Sequence, residues 1–77
     1  MKTFGELTVG TVVSFRDNET GDNTNYAILR HFGSVVGDWT QILNLKTLCT
    51  ENKSQHTAIE PRWSVPKNGY WSIVKEN

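Results

Sequence analysis

Asn25-Tyr26-Ala27-Ile28-Leu29-Arg30-His31-Phe32, then Gly33-Ser34-Val35-Val36-Gly37-Asp38, then Trp39-Thr40-Gln41-Ile42-Leu43-Asn44-Leu45 is the stretch that decides the fold. Its outer segments are rich in aromatic, branched and other large apolar residues, and the apolar positions recur with period two rather than 3.6. Residues 25–32 therefore read as a strand with Tyr26, Ile28 and Arg30 on one face and Ala27, Leu29 and His31 on the other. Residues 39–45 read as a second strand, with Trp39, Gln41, Leu43 and Leu45 set against Thr40, Ile42 and Asn44. Gly33 to Asp38, with two glycines, is the turn between them.

The same reading extends in both directions. Thr11 to Phe15 predicts an earlier strand, separated from the next by the polar run Asp17 to Asn25, whose residue types favour turns. Lys46 to Gln55 is mostly polar and predicts no strand. His56 to Glu60 predicts a short strand that Pro61 ends, since proline cannot donate to a ladder. Pro66 to Gly69 predicts a turn, and Tyr70 to Lys75 a final strand. No segment shows the ten or so residues of helical periodicity that a helix requires. The exception is local: Thr3 is placed to cap one turn with Glu6 as its capping-box partner, which points Phe4 and Leu7 the same way.

With 77 residues the chain is one domain, residues 1–77. The expected fold class is all-β. Five short strands are too few for a two-sheet sandwich, but they can curl into a small, partly open barrel that leaves little free edge. An SH3-like barrel is the expected form, with at most one short helical turn near the N-terminus. An OB-like barrel is the alternative, disfavoured because it usually needs more residues and a helix. At 36% hydrophobic residues, most apolar side chains are committed to one core, which argues against a large active-site cavity.

Several function classes are set aside on composition. The longest apolar run is Tyr26 to Leu29, whereas a membrane-spanning helix needs about 20 residues. Met1 to Glu6 has no apolar leader core. Cys49 is the single cysteine, so no intramolecular disulfide exists, and the expected location is the cytoplasm. There is no phosphate loop or dinucleotide fingerprint. Cys49, His31 and His56 have no spacing that matches a nucleophile signature, and structural zinc sites normally take ligands in close pairs. Glu6, Glu51 and Glu60 form no evident acid–base pair. The expectation is no catalytic residue, no metal and no cofactor.

The opening Phe4-Gly5-Glu6-Leu7-Thr8-Val9-Gly10-Thr11, followed by Phe15, resembles the pattern F-x-[DE]-L-x-x-G-x-x-x-x-F. That pattern begins many small uncharacterised proteins of bacteriophages and plasmids. The resemblance covers about two-thirds of the chain, through Tyr26 to Arg30 and Ile42 to Leu45, and departs from the group at Asp17 to Thr24 and Arg62 to Tyr70. It implies a small barrel of phage or mobile-element type, with no active-site residues to carry over.

Aromatic residues carry the functional reading. Trp39 and Trp71 are expected in the core, whereas Trp63, between Pro61 and Pro66, is expected at the surface. Arg62, Trp63 and Tyr70 are candidate partner-binding anchors with Lys67 at the rim, because Trp, Tyr and Arg dominate interface hot spots. The net charge is +0; residues 1–45 hold three basic against five acidic side chains, −2, and residues 46–77 hold five against three, +2. Nucleic-acid binding normally shows a basic excess. The expectation is a non-enzymatic module that binds and modulates a host protein. The alternative is single-stranded nucleic-acid binding through Trp63, Tyr70, Arg30 and Lys67. A strand left free at the barrel's edge would also permit self-association.

Overall fold

Val12-Val13-Ser14-Phe15-Arg16-Asp17 alternates side chains about a pleated backbone and pairs antiparallel on both sides, which makes it the centre of one half of the sheet. In the computed structural model, which describes residues 2–59 and 69–77, the strands are β1 (Lys2–Thr3), β2 (Val12–Asp17), β3 (Asn23–Ser34), β4 (Gly37–Asn44), β5 (Thr50–Ser54), β6 (Ala58–Ile59) and β7 (Gly69–Lys75). Five form one antiparallel sheet in the order β5-β4-β3-β2-β7, and β1 pairs with β6 in a second sheet of two strands.

The all-β expectation holds, and four of its strands stand close to where the alternation put them. The barrel does not close: β5 and β7 end the sheet as its two edges, with no ladder between them. The sheet buries its concave face another way. A single 3-10 turn, Phe4–Glu6, and the β1–β6 pair lie against it and deliver Phe4, Leu7 and Ile59, which join Val13, Ile28 and Ile42 in the core. Tyr26, Trp71 and Ile73 pack around that cluster. Apolar surface is thus removed from water without edge-to-edge hydrogen bonds. The turn carries no side-chain cap from Thr3, so the anticipated capping box is not formed, although Phe4 and Leu7 are both buried as expected.

β5 is the strand that the sequence does not announce. Thr50-Glu51-Asn52-Lys53-Ser54 has no apolar residue, yet it pairs with β4 from Trp39↔Ser54 to Leu43↔Thr50. A peripheral strand needs only main-chain partners on one side, so hydrophobic alternation is not required of it. β6 is shorter than the expected 56–60 strand and belongs to the small sheet; Glu60 and the Pro61 stop lie outside the described residues. So do residues 66–68 of the expected final turn.

Gly69, the last residue of that expected turn, instead opens β7 opposite Asp17. A Cβ there would stand 2.1 Å from the Arg16 carbonyl oxygen and 2.6 Å from the Phe15 ring, at φ 157°. Only glycine lets the two backbones meet. Gly69→Ala is expected to destabilise the fold by about 3 kcal/mol, measured by urea unfolding, because both obstructions are strand residues that cannot swing aside. The opposite case is Leu48, which is 71% exposed and holds φ 62° in the turn between β4 and β5. A side chain in that region is strained and this one packs against little, so Leu48→Gly is expected to stabilise by roughly 0.5–1 kcal/mol in the same assay.

Candidate functional site

The β3–β4 hairpin is the longest paired unit of the structure, and one irregularity decides what it displays. Register shifts between Ile28 and Arg30; such a bulge puts an extra residue in one strand and reverses the faces beyond it. Before it, Tyr26 and Ile28 face the concave side. After it, His31 takes that side, while Arg30 and Phe32 turn to the convex surface. This corrects the expected strict alternation, in which Arg30 shared a face with Ile28.

The inward His31 is held at both nitrogens: Nε2 lies 2.6 Å from the Leu7 carbonyl oxygen and Nδ1 2.7 Å from Thr40 Oγ1. A carbonyl only accepts, so Nε2 carries the hydrogen, and Nδ1 accepts from the Thr40 hydroxyl in the neutral ring. Thr40 is fully buried. This pair ties the middle of the hairpin to the residue that follows the 3-10 turn. The side-chain amide of Gln55 donates to the Trp39 carbonyl at 2.9 Å and the Phe32 carbonyl at 3.4 Å, bracing the hairpin further out.

On the convex face Phe32 stands directly opposite Trp39. The Arg30 guanidinium lies 4.7 Å from the Phe32 ring centroid, and its Nε donates to Gln41 Oε1 at 3.0 Å. Trp39, expected in the core, is half-buried here rather than enclosed, because the concave positions of β4 belong to Thr40 and Ile42. The other expected core tryptophan, Trp71, is half-buried on the concave side and meets Phe4, Phe15 and Tyr26 at centroid distances of 4.9, 4.9 and 5.3 Å.

The hairpin ends in a two-residue loop, Val35-Val36, between the paired Ser34 and Gly37. Such loops usually take Asn-Gly or glycine in turns with positive φ; neither valine has positive φ. The Ser34 hydroxyl compensates. It accepts from the Val36 N–H at 3.3 Å and from Trp39 Nε1 at 3.0 Å, and donates to the Gly37 carbonyl at 3.2 Å. A locked turn therefore presents two aliphatic side chains to solvent, Val35 at 103% and Val36 at 78% exposure. The sequence reading passed over both. Two adjacent valines inside a glycine-flanked turn were the available signal, since such positions are normally polar.

At the open side of the sheet a polar group gathers on the concave face. Glu51 and Lys53 of β5 are 3.6 Å apart, and Lys53 Nζ lies 6.0 Å from the Trp71 ring centroid. Tyr26 of β3 stands beside them, and Glu51 and Asn44 both act on its phenol. Burial raises the Tyr26 pKa, and Glu51 raises it further, against a smaller lowering by Asn44.

Of the sequence-derived anchors, Tyr70 is half-buried in β7 opposite Arg16 on the convex face. Arg62, Trp63 and Lys67 lie outside the described residues. Cys49 is exposed just before β5, and no three His, Cys, Asp or Glu side chains among the described residues are grouped to hold a metal. Nor is any helix among them long and apolar enough to cross a membrane.

A raised Tyr26 pKa stabilises the folded state fully below about pH 10, where unfolded tyrosine keeps its proton, and that stabilisation is lost as pH rises through the folded value. Phenolate absorbance should show one tyrosine titrating above the ordinary range, and Glu51→Gln should bring it down; an unmoved midpoint would contradict the Glu51 contact. Comparison of the chain with protein-family models, curated proteins and solved structures finds no match.

Proposed function

We propose that the chain is a non-enzymatic binding module that docks onto another protein through the convex end of its β3–β4 hairpin. The observation that carries this reading is the Val35-Val36 tip. A chain with so small a core leaves two aliphatic residues in water, and spends a serine hydroxyl on holding them there. Behind the tip, Phe32, Trp39 and Arg30 supply the residue types that anchor interfaces. Partner contact would remove the valines from water and extend over this aromatic step, with the Arg30 guanidinium already positioned above the Phe32 ring. The resemblance to phage and plasmid proteins gives the partner its class, a protein of the host cell that is modulated by occlusion of a surface. The β2–β5 meander, with β7 returning beside β2, supports placing this module among partly open SH3-like barrels.

A second reading rests on a different observation. Among the described strand residues facing the convex side, the charged ones are Arg16, Arg30 and Lys75, with no carboxylate. Aromatic Phe32, Trp39 and Tyr70 share that side. Single-stranded nucleic acid could stack there despite the neutral net charge.

One experiment separates the two. Val35→Asp with Val36→Asp should leave thermal stability within about 0.5 kcal/mol of wild type, since both positions are solvent-exposed. In affinity capture from host lysate, the double variant should lose the proteins that wild type retains, whereas identical captured sets would reject the hairpin as the docking element. Trp63→Ala in the same series tests the sequence-derived anchor. Salt-dependent quenching of tryptophan fluorescence by an oligonucleotide, unchanged in the double variant, would favour the second reading instead.

A further inference from the structure

Among the described residues, strand β5 pairs on one side only, and the chemistry of its other side matches itself. The Gln55 N–H donates to the Asp38 carbonyl at 3.1 Å and the Asn44 N–H to the Cys49 carbonyl at 2.8 Å. With the β4–β5 register, this directs the main-chain groups of residues 49, 51, 53 and 55 onto β4. Those of Thr50, Asn52 and Ser54 therefore point away from the sheet. The Ser54 carbonyl accepts from the Thr57 N–H at 3.0 Å, and the outward groups of Thr50 and Asn52 have no main-chain partner among the described residues. Thr50, Glu51 and Asn52 are exposed.

We propose that this edge pairs with the same edge of a second copy of the chain, antiparallel about a two-fold axis through Asn52. In that register Asn52 faces Asn52 of the other copy and Thr50 faces Ser54, and these are the residues whose N–H and C=O groups point outward. Glu51 then faces Lys53 twice, once on each side of the axis. Both fall at non-hydrogen-bonded positions, where facing side chains approach most closely. Opposite charges at directly facing positions stabilise a pair and like charges destabilise it.

The charges also exclude the neighbouring registers. A shift by two residues in one direction places Glu51 against Glu51, and in the other Lys53 against Lys53. One register is complementary and both of its alternatives are repulsive. A charged edge strand is the ordinary barrier to indiscriminate pairing; here the two signs are ordered so that the barrier is lowered for one partner alone. A symmetric interface of this kind is self-complementary by construction. It would join two sheets into one of ten strands, with the two Val35-Val36 tips at opposite ends.

A ladder of five residues spans only about 17 Å, so the dimer is weak and concentration-dependent. Sedimentation equilibrium should show the 77-residue chain moving from monomer to dimer as concentration rises to about 1 mM. Glu51→Lys alone and Lys53→Glu alone should each raise the dissociation constant at least about tenfold. An equimolar mixture of the two variants should dimerise again, because each then offers the charges the other needs. Asn52→Pro removes an outward N–H and leaves the β4 ladder whole, so it should stay folded by circular dichroism and monomeric. Wild type that remains monomeric throughout, a proline variant that still dimerises, or a mixture no tighter than its components would each overturn the proposal. The hairpin tip is unaltered in all of these variants, so their outcome is independent of the docking reading above.

Discussion

Trp71 stands where the sheet would have to close and does not. Its ring meets Phe4 from the 3-10 turn, Phe15 from β2 and Tyr26 from β3, while Lys53 reaches toward it from the opposite edge. Main-chain hydrogen bonds would need β5 and β7 to come within about 5 Å along their length; side chains bridge a wider gap. The two sheet edges approach through side chains, Lys53 on one and Trp71 on the other, and not through a ladder. The rest of the architecture follows from that choice, including the role of Phe4, Leu7 and Ile59 as fillers brought in from outside the main sheet.

An unclosed sheet must manage its edges. β5 does so with a fully polar sequence, which lets it lie beside β4 without contributing aliphatic surface to the core. Its inward Glu51 and Lys53 lie 3.6 Å apart at the open side, and the Glu51 charge acts on Tyr26. The C-terminal end is tied down separately: the Asn77 N–H donates to Thr11 Oγ1 at 3.2 Å and its side-chain amide to the Val9 carbonyl at 2.9 Å, while Lys2 pairs with Glu76. The last two contacts are exposed and contribute little individually. They nevertheless hold the last residues against the segment that leads into β2.

The contrast between the two ends of the hairpin bears on function. Near its middle, His31, Thr40 and Gln55 bind it to the body of the molecule. At its tip, Ser34 binds it to itself. Rigid support below and exposed aliphatic residues above is the arrangement that limits the entropy lost when a partner docks. That is why the docking reading places its contacts on the hairpin and not on the longer polar turn between β2 and β3. There the Asp17 carboxylate accepts from the Glu19 and Thr20 N–H groups at 2.8 and 3.3 Å.

Period-two alternation in residues 11–15, 25–32, 39–45 and 70–75 determined the strand-built class, because one buried face per strand leaves that trace in any sequence. The burial of Phe4 and Leu7 was legible for a related reason, since one helical turn aligns residues three apart. Three things were decided only by the tertiary structure. β5 exists because β4 offers it hydrogen bonds, and a ladder needs no particular side chain. Arg30 and Phe32 face outward because a bulge shifts the register after Ile28, and a bulge reflects the partner strand as much as its own residues. Trp39 and Trp71 both sit in alternating strands, yet one is displayed and the other packs against Phe4, Phe15 and Tyr26. Alternation says that a strand has two faces; which of them is covered depends on what the rest of the chain brings to lie against it.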